Sequence, residues 1–573
     1  MKRSMKNFLL NIQGNENFFM LSSIWPFKKL KNIQMKRILL YGLVVAALVS
    51  GCTKDFEAIN TDPTQVAPSN FNSDYFLSGS QYNYINGITG YNGAILFQSG
   101  WVQIYASTTS GAANYYSNMD KYVASGNTND YSGRGFDLGY KSARLSQEII
   151  KNYGSIADKV NVVSAATIMK VLALHYVTDL YGDIPYSQAL QAATGVTQPA
   201  YDKQQDVYTA MLSDLDAALS KFDASKAKIG ADLFPYAGDV AKWKKFGYSL
   251  MLRIAMRLTK ADATTAQKYA EKAAAGGTLS AVSEDAYIKG DNTNGYRSEN
   301  SRSLTTAADF YQVKWSKTLI DYLKATSDPR VSIIAELPPA GLTAASDPTS
   351  TAAGDNTFAK QMGLPNGWDL NGGSTDISKA PGYPGASGSG TNADPIGLYS
   401  RPRTAVYDDL NSPQFVLTYA ESELLLAEAK VRGWNVGATT AAQHYANGVS
   451  AALQSLAAFG SSAAISATTA NTYAAANPLN VTSTVASLKM INEQYWATTG
   501  ILMNYVEAWN NWKRSGYPVL TPVVYAGNFS GGAIPRRQLY PTTEASGNPS
   551  NYKIGVSNLT AGDNWNSKEW WDK

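Results

Sequence analysis

Tyrosine and tryptophan side chains in polar, irregular stretches are the residues of this sequence best suited to bind a ligand. A saccharide ring has an apolar face that stacks on an aromatic ring, and its hydroxyl groups need amide, carboxylate or guanidinium partners at the edges. Loops leave such side chains free to bind. The candidate ligand-binding residues are Trp101, Gln103, Tyr105, Tyr296, Asn300, Tyr311 and Trp368.

The alternative for any one of these rings is that it covers a helical scaffold, because tyrosine is commonly half buried. Among the candidates we favour Trp101 and Tyr296. Both lie in stretches rich in Tyr, Asn and Gly, at 91–116 and 291–311. Trp368 belongs to a third stretch, Asn366-Gly367-Trp368-Asp369.

Three glutamates, Glu421, Glu423 and Glu428, raise the question of a glycosidase, which needs two carboxylates about 5 to 10 Å apart across a cleft. Glu421 and Glu428 share nearly the same helical face in a stretch rich in Ala and Leu, which favours capping or salt-bridge roles in helix packing. No G-x-S-x-G sequence supports a nucleophilic triad. We therefore predict no catalytic residues.

A metal centre finds little support in the composition. One Cys and two His exclude a multi-thiolate zinc site and a histidine-rich centre. Asp291-Asn292-Thr293-Asn294-Gly295 is similar to the opening of a calcium loop, but Arg302 stands at the twelfth position, where a bidentate Glu is expected. We reject an EF-hand and expect no cofactor. A structural calcium ion held by oxygens of irregular loops is an alternative that the sequence leaves open.

The N-terminal stretch has the layout of a secretory signal: Met35-Lys36-Arg37, an apolar run over 38–49, then Ser50-Gly51-Cys52. Val49-Ser50-Gly51-Cys52 resembles the lipobox of bacterial lipoproteins, which implies cleavage before Cys52 and lipidation of that residue. The alternative is an incidental Cys after an ordinary signal. We assign 1–51 to a cleaved leader, with 1–34 attributed to an overcalled start codon, and 52–573 to a single domain.

Charge argues against nucleic acid as a partner. The leader holds eight basic residues and one acidic residue, so its removal changes 49 basic and 45 acidic residues to 41 and 44, and the net charge from +4 to −3. DNA and RNA binding needs clustered Lys and Arg to neutralise phosphates. The mature chain has no such excess.

Most of the mature chain carries helical patterning, with apolar residues spaced three and four apart. Gly182-Asp183-Ile184-Pro185 and Gly276-Gly277 act as stop signals, and Gly433 stands at a C-cap position. Between 338 and 402 the chain is irregular, which is typical of a functional loop region. The C-terminal Trp565, Trp570 and Trp571 should pack back onto the domain. Predicted helices span 136–153, 162–180, 205–222, 240–259, 264–275, 415–432, 440–458 and 484–513.

Several stretches, in order and spacing, resemble the SusD/RagB-like nutrient-binding outer-membrane lipoproteins of Bacteroidetes. They include Thr178-Asp179-Leu180-Tyr181-Gly182-Asp183-Ile184-Pro185-Tyr186, Leu252-Arg253-Ile254-Ala255-Met256-Arg257, Thr418-Tyr419-Ala420-Glu421, Trp512-Lys513-Arg514-Ser515-Gly516-Tyr517-Pro518 and Trp570-Trp571-Asp572. Most of these residues are expected to be scaffold. Arg253 and Arg257, four apart on one helical face, are expected to pair with carboxylates.

The resemblance implies an all-α fold of tetratricopeptide-like helix pairs forming a right-handed superhelical scaffold, with a loop-rich, irregular ligand-binding portion. It implies a lipid-anchored protein on the exterior of the outer membrane that captures an oligosaccharide and delivers it to a SusC-like TonB-dependent transporter, without catalysis. A peptide ligand is the alternative within the family. A lipoprotein glycosidase is the alternative outside it.

Overall fold

The periodic stretches of the sequence fold into long helices whose apolar faces meet in one core. The computed structural model describes residues 72–92, 94–112, 114–306, 312–339, 353–386 and 396–573, and Asn72–Lys573 forms one compact unit. The longer helices are α1 Tyr75–Ile88, α2 Thr128–Tyr153, α3 Val160–Tyr181, α4 Gln204–Ser220, α5 Val240–Arg257, α6 Ala263–Gly276, α7 Lys317–Ala325, α8 Tyr419–Val431, α9 Ala441–Gln454, α10 Ala467–Ala476, α11 Thr484–Ile501, α12 Tyr505–Ser515 and α13 Pro549–Ser557.

Neighbouring helices pack as pairs, as predicted for a tetratricopeptide-like fold. Helix α2 packs against α1 and α3, α3 against α4, and α5 against α6. In the second half of the chain α8 packs against α9 and α11, and α11 against α12. The mainly helical fold predicted from sequence is therefore confirmed.

Helix ends follow the predicted signals. Helix α3 ends at Tyr181, followed by Gly182 at φ 89°, and α6 ends at Gly276, followed by Gly277 at φ 90°. Gly433, at φ 81°, follows α8 as a C-cap glycine. The 25-residue stretch Ala157–Tyr181 is long and apolar enough to span a membrane, but 78% of its most apolar window is buried inside the protein, as in a core helix.

Three predicted boundaries were wrong. The first helix was predicted at 136–153, yet α1 already spans Tyr75–Ile88 and buries Leu77, Ile85 and Ile88. The 415–432 helix begins only at Tyr419, because Pro413–Leu417 forms a strand and Thr418 caps the helix. The 484–513 helix is broken between α11 and α12, where Met503 has a φ of 62° and the Asn504 side chain caps α12.

Short strands tie distant parts of the chain together in antiparallel pairs. Strand β1 (Tyr105–Ala106) pairs with β3 (Lys314–Trp315), β2 (Ala286–Lys289) with β6 (Pro413–Leu417), and β4 (Ala335–Glu336) with β5 (Arg401–Pro402). The first pair brings the aromatic N-terminal loops beside the N-terminus of α7. The residues next to this strand pair, Gln103, Lys317 and Thr318, line one cleft.

A buried ionic network links α3, α5, α8 and α12. Arg253 Nη2 donates to Glu421 Oε1 at 2.7 Å, and Arg257 contacts both Asp179 at 3.1 Å and Glu507 at 2.7 Å. All five side chains are buried. The predicted pairing of the two arginines with carboxylates is confirmed. The C-terminal tail packs on the core as predicted, with Trp571 fully buried.

Candidate functional site

A cleft that contains both an aromatic ring and polar side chains lies between the N-terminus of α7, the chain around Trp368 and the segment that follows α12. Its volume is about 470 Å³. We call it the Trp368 cleft and define it by its lining residues: Gln103, Lys317, Thr318, Asp321, Pro365, Asn366, Gly367, Trp368, Thr375, Thr521, Pro522, Val523 and Val524. It therefore brings together two of the predicted ligand-binding residues, Gln103 and Trp368.

Gln103 joins two walls of this cleft. Its side-chain Nε2 donates to the carbonyl of Thr521 at 2.6 Å, and its Oε1 accepts from the Thr318 hydroxyl at 2.7 Å. The backbone at Gln103 adopts a φ of 54°, and its carbonyl accepts from the Ser316 hydroxyl, which also caps α7. Gln103 is nearly buried, so it shapes the cleft more than it reaches into it.

Trp368 directly follows a tight turn at Gly367. The ring is half buried and packs against a small cluster formed by Leu364, Ile377, Ala380, Tyr399 and β1 residue Ala106. The preceding Gly367 has a φ of 87°, and an added Cβ would lie 2.7 Å from Val523 Cγ1. The turn therefore requires glycine, and it places the indole at the cleft.

Hydrogen bonds to Asp120 and to the backbone of Tyr105 hold the same turn in place. Gly367 N donates to Asp120 Oδ2 at 3.1 Å, and Asn366 Nδ2 donates to the Tyr105 carbonyl at 2.8 Å. Asp120 is paired at 3.0 Å with Lys121, and both side chains are fully buried. The turn thus rests on a buried ion pair contributed by the N-terminal loops.

Asp369 secures the other end of the turn. Its Oδ2 accepts from the Tyr525 hydroxyl at 2.5 Å and from Thr375 Oγ1 at 2.8 Å, while Oδ1 accepts from Asn371 N. Burial opposes ionisation, but these hydrogen bonds outweigh it and lower the pKa of Asp369. Asp369 is therefore ionised at neutral pH, and its oxygens accept hydrogen bonds both from its own loop and from Tyr525.

The open part of the Trp368 cleft combines apolar and polar surface. Pro522, Val523 and Val524 lie on the wall formed by the segment after α12, and Val524 is 79% exposed. Lys317 and Asp321, an exposed ion pair one turn apart on α7, line another part. An indole beside side chains that donate and accept hydrogen bonds suits a ligand with apolar faces and hydroxyl edges.

Burial corrects two of the predicted aromatic ligand-binding residues, Trp101 and Tyr105. Trp101 is fully buried, with its ring centroid 5.3 Å from that of Trp509, and its Nε1 donates to the Asn118 carbonyl. Tyr105 is equally buried, and its hydroxyl accepts from Tyr505. Neither ring offers a face to a ligand. Both belong to the core because the chain folds back over them.

Asn300 also has a structural role. Its Oδ1 accepts from Gly90 N at 2.9 Å, and its Nδ2 donates to the Met503 carbonyl at 3.3 Å, in a buried position. Tyr296 is exposed but lines a different groove. Tyr311 and the predicted lipidation residue Cys52 lie outside the described residues.

The glutamates considered for catalysis are engaged in the scaffold. Glu421 belongs to a capping box with Thr418 and accepts from Arg253. Glu428 accepts from Arg514 at 2.6 Å, and Glu423 lies 2.9 Å from His444 Nδ1. None of the three lines a described cleft or groove. The capping and salt-bridge roles predicted for Glu421 and Glu428 are confirmed.

Sequence reasoning missed the residues that complete the Trp368 cleft. Lys317 and Asp321 carry a signal in retrospect, since they are charged residues in the first turns of a helix that follows an irregular stretch. The segment 521–524 carries no such signal, because its position depends on contacts with parts of the chain distant in sequence, among them Gln103 and Gly367. Among the described residues, no cluster of three or more His, Cys, Asp or Glu side chains is arranged to hold a metal ion.

Comparison with known families gives a match over residues 64–541 to the family described as "Starch-binding associating with outer membrane", a SusD-like model. This chain belongs to the SusD-like family. No protein of curated function matches it significantly in sequence.

Solved structures agree with the SusD-like assignment. One is a chitin-binding protein, 28% identical, which aligns over 88% of this chain and 100% of its own with a TM-score of 0.70. A chitin-binding SusD homolog from Flavobacterium johnsoniae is 21% identical over 88% and 99%, with a TM-score of 0.67. A SusD-like protein from Bacteroides thetaiotaomicron is 20% identical over 87% and 99%, with a TM-score of 0.66.

The SusD-like motifs and the Trp368 cleft occupy different parts of the molecule. The matching residues Asp179, Arg253, Arg257 and Glu421 belong to the buried network between helices. The cleft is built from loops and from the start of α7. The residues that match the family therefore lie in the helical scaffold, and the Trp368 cleft lies among the irregular segments.

Proposed function

We propose that this SusD-like protein captures an oligosaccharide in the Trp368 cleft at the exterior of the outer membrane and delivers it to a SusC-like TonB-dependent transporter. The observation that carries the proposal is the half-buried indole of Trp368 at a cleft of about 470 Å³, on a turn that hydrogen bonds to Asp120 and Asp369 hold in place. The family description and the chitin-binding structures support a glycan as ligand.

The fixed position of the indole supports the proposal energetically. A ring that is already held by packing and by hydrogen bonds in its turn loses little conformational entropy when a pyranose stacks on it. The cleft volume lies in the range of small-molecule sites. Thr318, Asn366 and Thr375 line the same cleft with uncharged polar side chains, and Lys317 and Asp321 add charges of both signs.

Attachment to the membrane through Cys52 and delivery to a transporter are parts of the same proposal. They rest on the lipobox-like Val49-Ser50-Gly51-Cys52 and on membership of a family described as associating with the outer membrane. A lipid-anchored protein of this kind would hold its ligand next to the transporter. No catalytic step is required for that function.

Calorimetric titration of the full chain with chitohexaose, maltohexaose and a short peptide tests the proposal. We expect binding of at least one oligosaccharide, weakened at least about tenfold in Trp368→Ala, which corresponds to about 1.4 kcal/mol. Trp368→Phe should retain part of the affinity because it keeps an aromatic face. Tyr269→Ala, a half-exposed tyrosine on α6 outside the cleft, is the control.

Two outcomes would overturn the assignment. Oligosaccharide binding that is unchanged in Trp368→Ala would exclude the cleft. Binding of the peptide alone would replace the glycan by a peptide ligand. Circular dichroism of each variant separates lost binding from lost fold.

A further inference from the structure

A second groove, separate from the Trp368 cleft, also presents an exposed aromatic ring. It has a volume of about 810 Å³ and lies between α1, β2 and the loop that follows β2. Its lining includes Tyr82, Leu233, Lys289, Asp291, Asn294 and Tyr296. No residue lines both this groove, which we call the Tyr296 groove, and the Trp368 cleft.

Tyr296 is displayed by a rigid turn. Asp291 N donates to the Tyr296 carbonyl at 2.7 Å, and Tyr296 N donates to the Asp291 carbonyl at 2.8 Å. Inside the turn, the Asp291 carboxylate accepts from Asn294 N and Nδ2, and Gly295 supplies the left-handed conformation at φ 84°. This is the segment with a calcium-loop-like sequence, and the structure shows it folded around its own side chains.

The Tyr296 ring is supported on one side and open on another. Its centroid lies 5.0 Å from that of Tyr82, with the ring planes at 88°, an edge-to-face contact. Tyr296 nevertheless remains 54% exposed, and neighbouring Leu233 is 40% exposed. A large aromatic surface held toward solvent in a groove, next to an exposed aliphatic side chain, is typical of a binding surface.

The polar groups around the ring indicate the class of ligand. Lys289 and Asp291 are exposed and of opposite charge, and Asn294 adds an amide. An anionic ligand would gain little binding energy here, because the attraction of Lys289 is offset by repulsion from the Asp291 carboxylate. A neutral pyranose can stack on Tyr296 and present hydroxyl groups to donors and acceptors at the same time.

We propose that the Tyr296 groove is a second saccharide-binding site of this protein. It would hold a pyranose ring against Tyr296 and Leu233, with hydroxyl groups on Lys289, Asp291 and Asn294. A second site on one chain raises the effective concentration of a long glycan near the first. The proposal does not depend on whether the Trp368 cleft binds a saccharide.

Saturation-transfer NMR on the full chain, with chitohexaose and maltohexaose as probes, tests the groove in a Trp368→Ala background. We expect a saccharide signal to persist there, and to fall at least tenfold when Tyr296→Ala is added. Adding Tyr296→Phe should preserve the signal, since the stacking ring remains. Adding Tyr269→Ala should leave it unchanged.

The groove proposal is overturned if the Trp368→Ala protein gives no saccharide signal, or if Tyr296→Ala does not reduce that signal. The same experiment on wild type and on Tyr296→Ala alone reports on the cleft. A signal in the single Tyr296→Ala variant that disappears when Trp368→Ala is added supports the cleft independently. The two proposals can therefore fail separately.

Discussion

Asp120 and Lys121 act on the Trp368 cleft without lining it. Both side chains are fully buried, and Asp120 holds the amide of Gly367. Removing Asp120 leaves Lys121 as an uncompensated buried charge, which typically costs about 3–5 kcal/mol of unfolding free energy. We expect Asp120→Ala to lower stability by that amount in urea unfolding and to weaken oligosaccharide binding as well.

Lys272→Ala is the matched control for Asp120→Ala, because it removes one partner of a solvent-exposed ion pair with Asp216, whose side chains are 43% and 37% exposed. Such a change should cost no more than about 1 kcal/mol and leave binding intact. If Asp120→Ala remains folded and binds oligosaccharide with wild-type affinity, the ion pair does not position Trp368.

Glu428 should make the protein sensitive to acid. Burial opposes its ionisation, but the guanidinium groups of Arg514 and Arg432 outweigh burial and lower its pKa from an ordinary 4.5 to about 2. A lowered folded-state pKa contributes stability above the unfolded value, which is lost as the pH falls through the folded one. Wild type should therefore lose stability from about pH 4.5 down to about pH 2.

Glu428→Gln tests this pH dependence. At pH 7 the variant should be less stable by about 3–5 kcal/mol, because Arg514 stays buried without its carboxylate. Between pH 4.5 and pH 2 its unfolding free energy should fall less than that of wild type. Equal acid slopes in urea unfolding of the two proteins would contradict the assignment.

Individual aromatic residues show where sequence reasoning reaches its limit. Trp101 and Trp368 both lie in polar, irregular stretches, yet Trp101 is fully buried and Trp368 lines a cleft. The difference arises from Trp509 and Trp565, which cover Trp101 and come from more than 400 residues later in the chain. Local composition holds no information on such a contact.

At the scale of elements, α2 and α3 approach each other closely at Gly139. An added Cβ there would overlap Val177 Cγ2 of α3. Replacing glycine by alanine inside a helix ordinarily stabilises it by about 0.5–1 kcal/mol. Here we expect Gly139→Ala to destabilise the protein by about 1–3 kcal/mol, the usual cost of overpacking.

Gly547→Ala is the control for Gly139→Ala, since Gly547 is an exposed helical residue with no atom within 4 Å of an added Cβ. It should be neutral or slightly stabilising in thermal unfolding. Equal effects of the two substitutions would show that the α2–α3 packing tolerates a wider separation than the structure has.

Helices α2 to α6 were largely predictable because each carries its own apolar periodicity. Helix α5 was predicted over 240–259 and spans Val240–Arg257. The two-residue strands were not predictable, since β1 and β3 join Tyr105–Ala106 to Lys314–Trp315 across 200 residues of chain. The Trp368 cleft is built on this pairing, so its composition could not be derived from sequence either.

At the scale of the whole molecule, the proposed lipid anchor at Cys52 would hold the protein at the membrane. We expect Cys52→Ala to move the protein from the membrane fraction to the soluble fraction after cell fractionation, because the variant cannot accept a lipid, which supplies about 0.8 kcal/mol of membrane affinity per buried CH₂. Oligosaccharide affinity should be unchanged. Persistence of Cys52→Ala in the outer-membrane fraction would show that another segment or partner anchors the chain.

Within this SusD-like fold, the buried ionic network and the loop-built cleft involve different residues. The ionic network of Arg253, Arg257, Glu421 and Glu507 links the helices, and none of these four residues lines the Trp368 cleft. This separation explains why sequence resemblance identified the family while leaving the site unresolved.

A crystal structure of the full chain with the oligosaccharide that binds most tightly in the titration is the most direct test of the central claim. We predict a pyranose ring stacked on Trp368, with hydroxyl groups within hydrogen-bonding distance of the side chains of Lys317, Asp321 or Asn366. An oligosaccharide bound elsewhere on the molecule, with the Trp368 cleft empty, would contradict it.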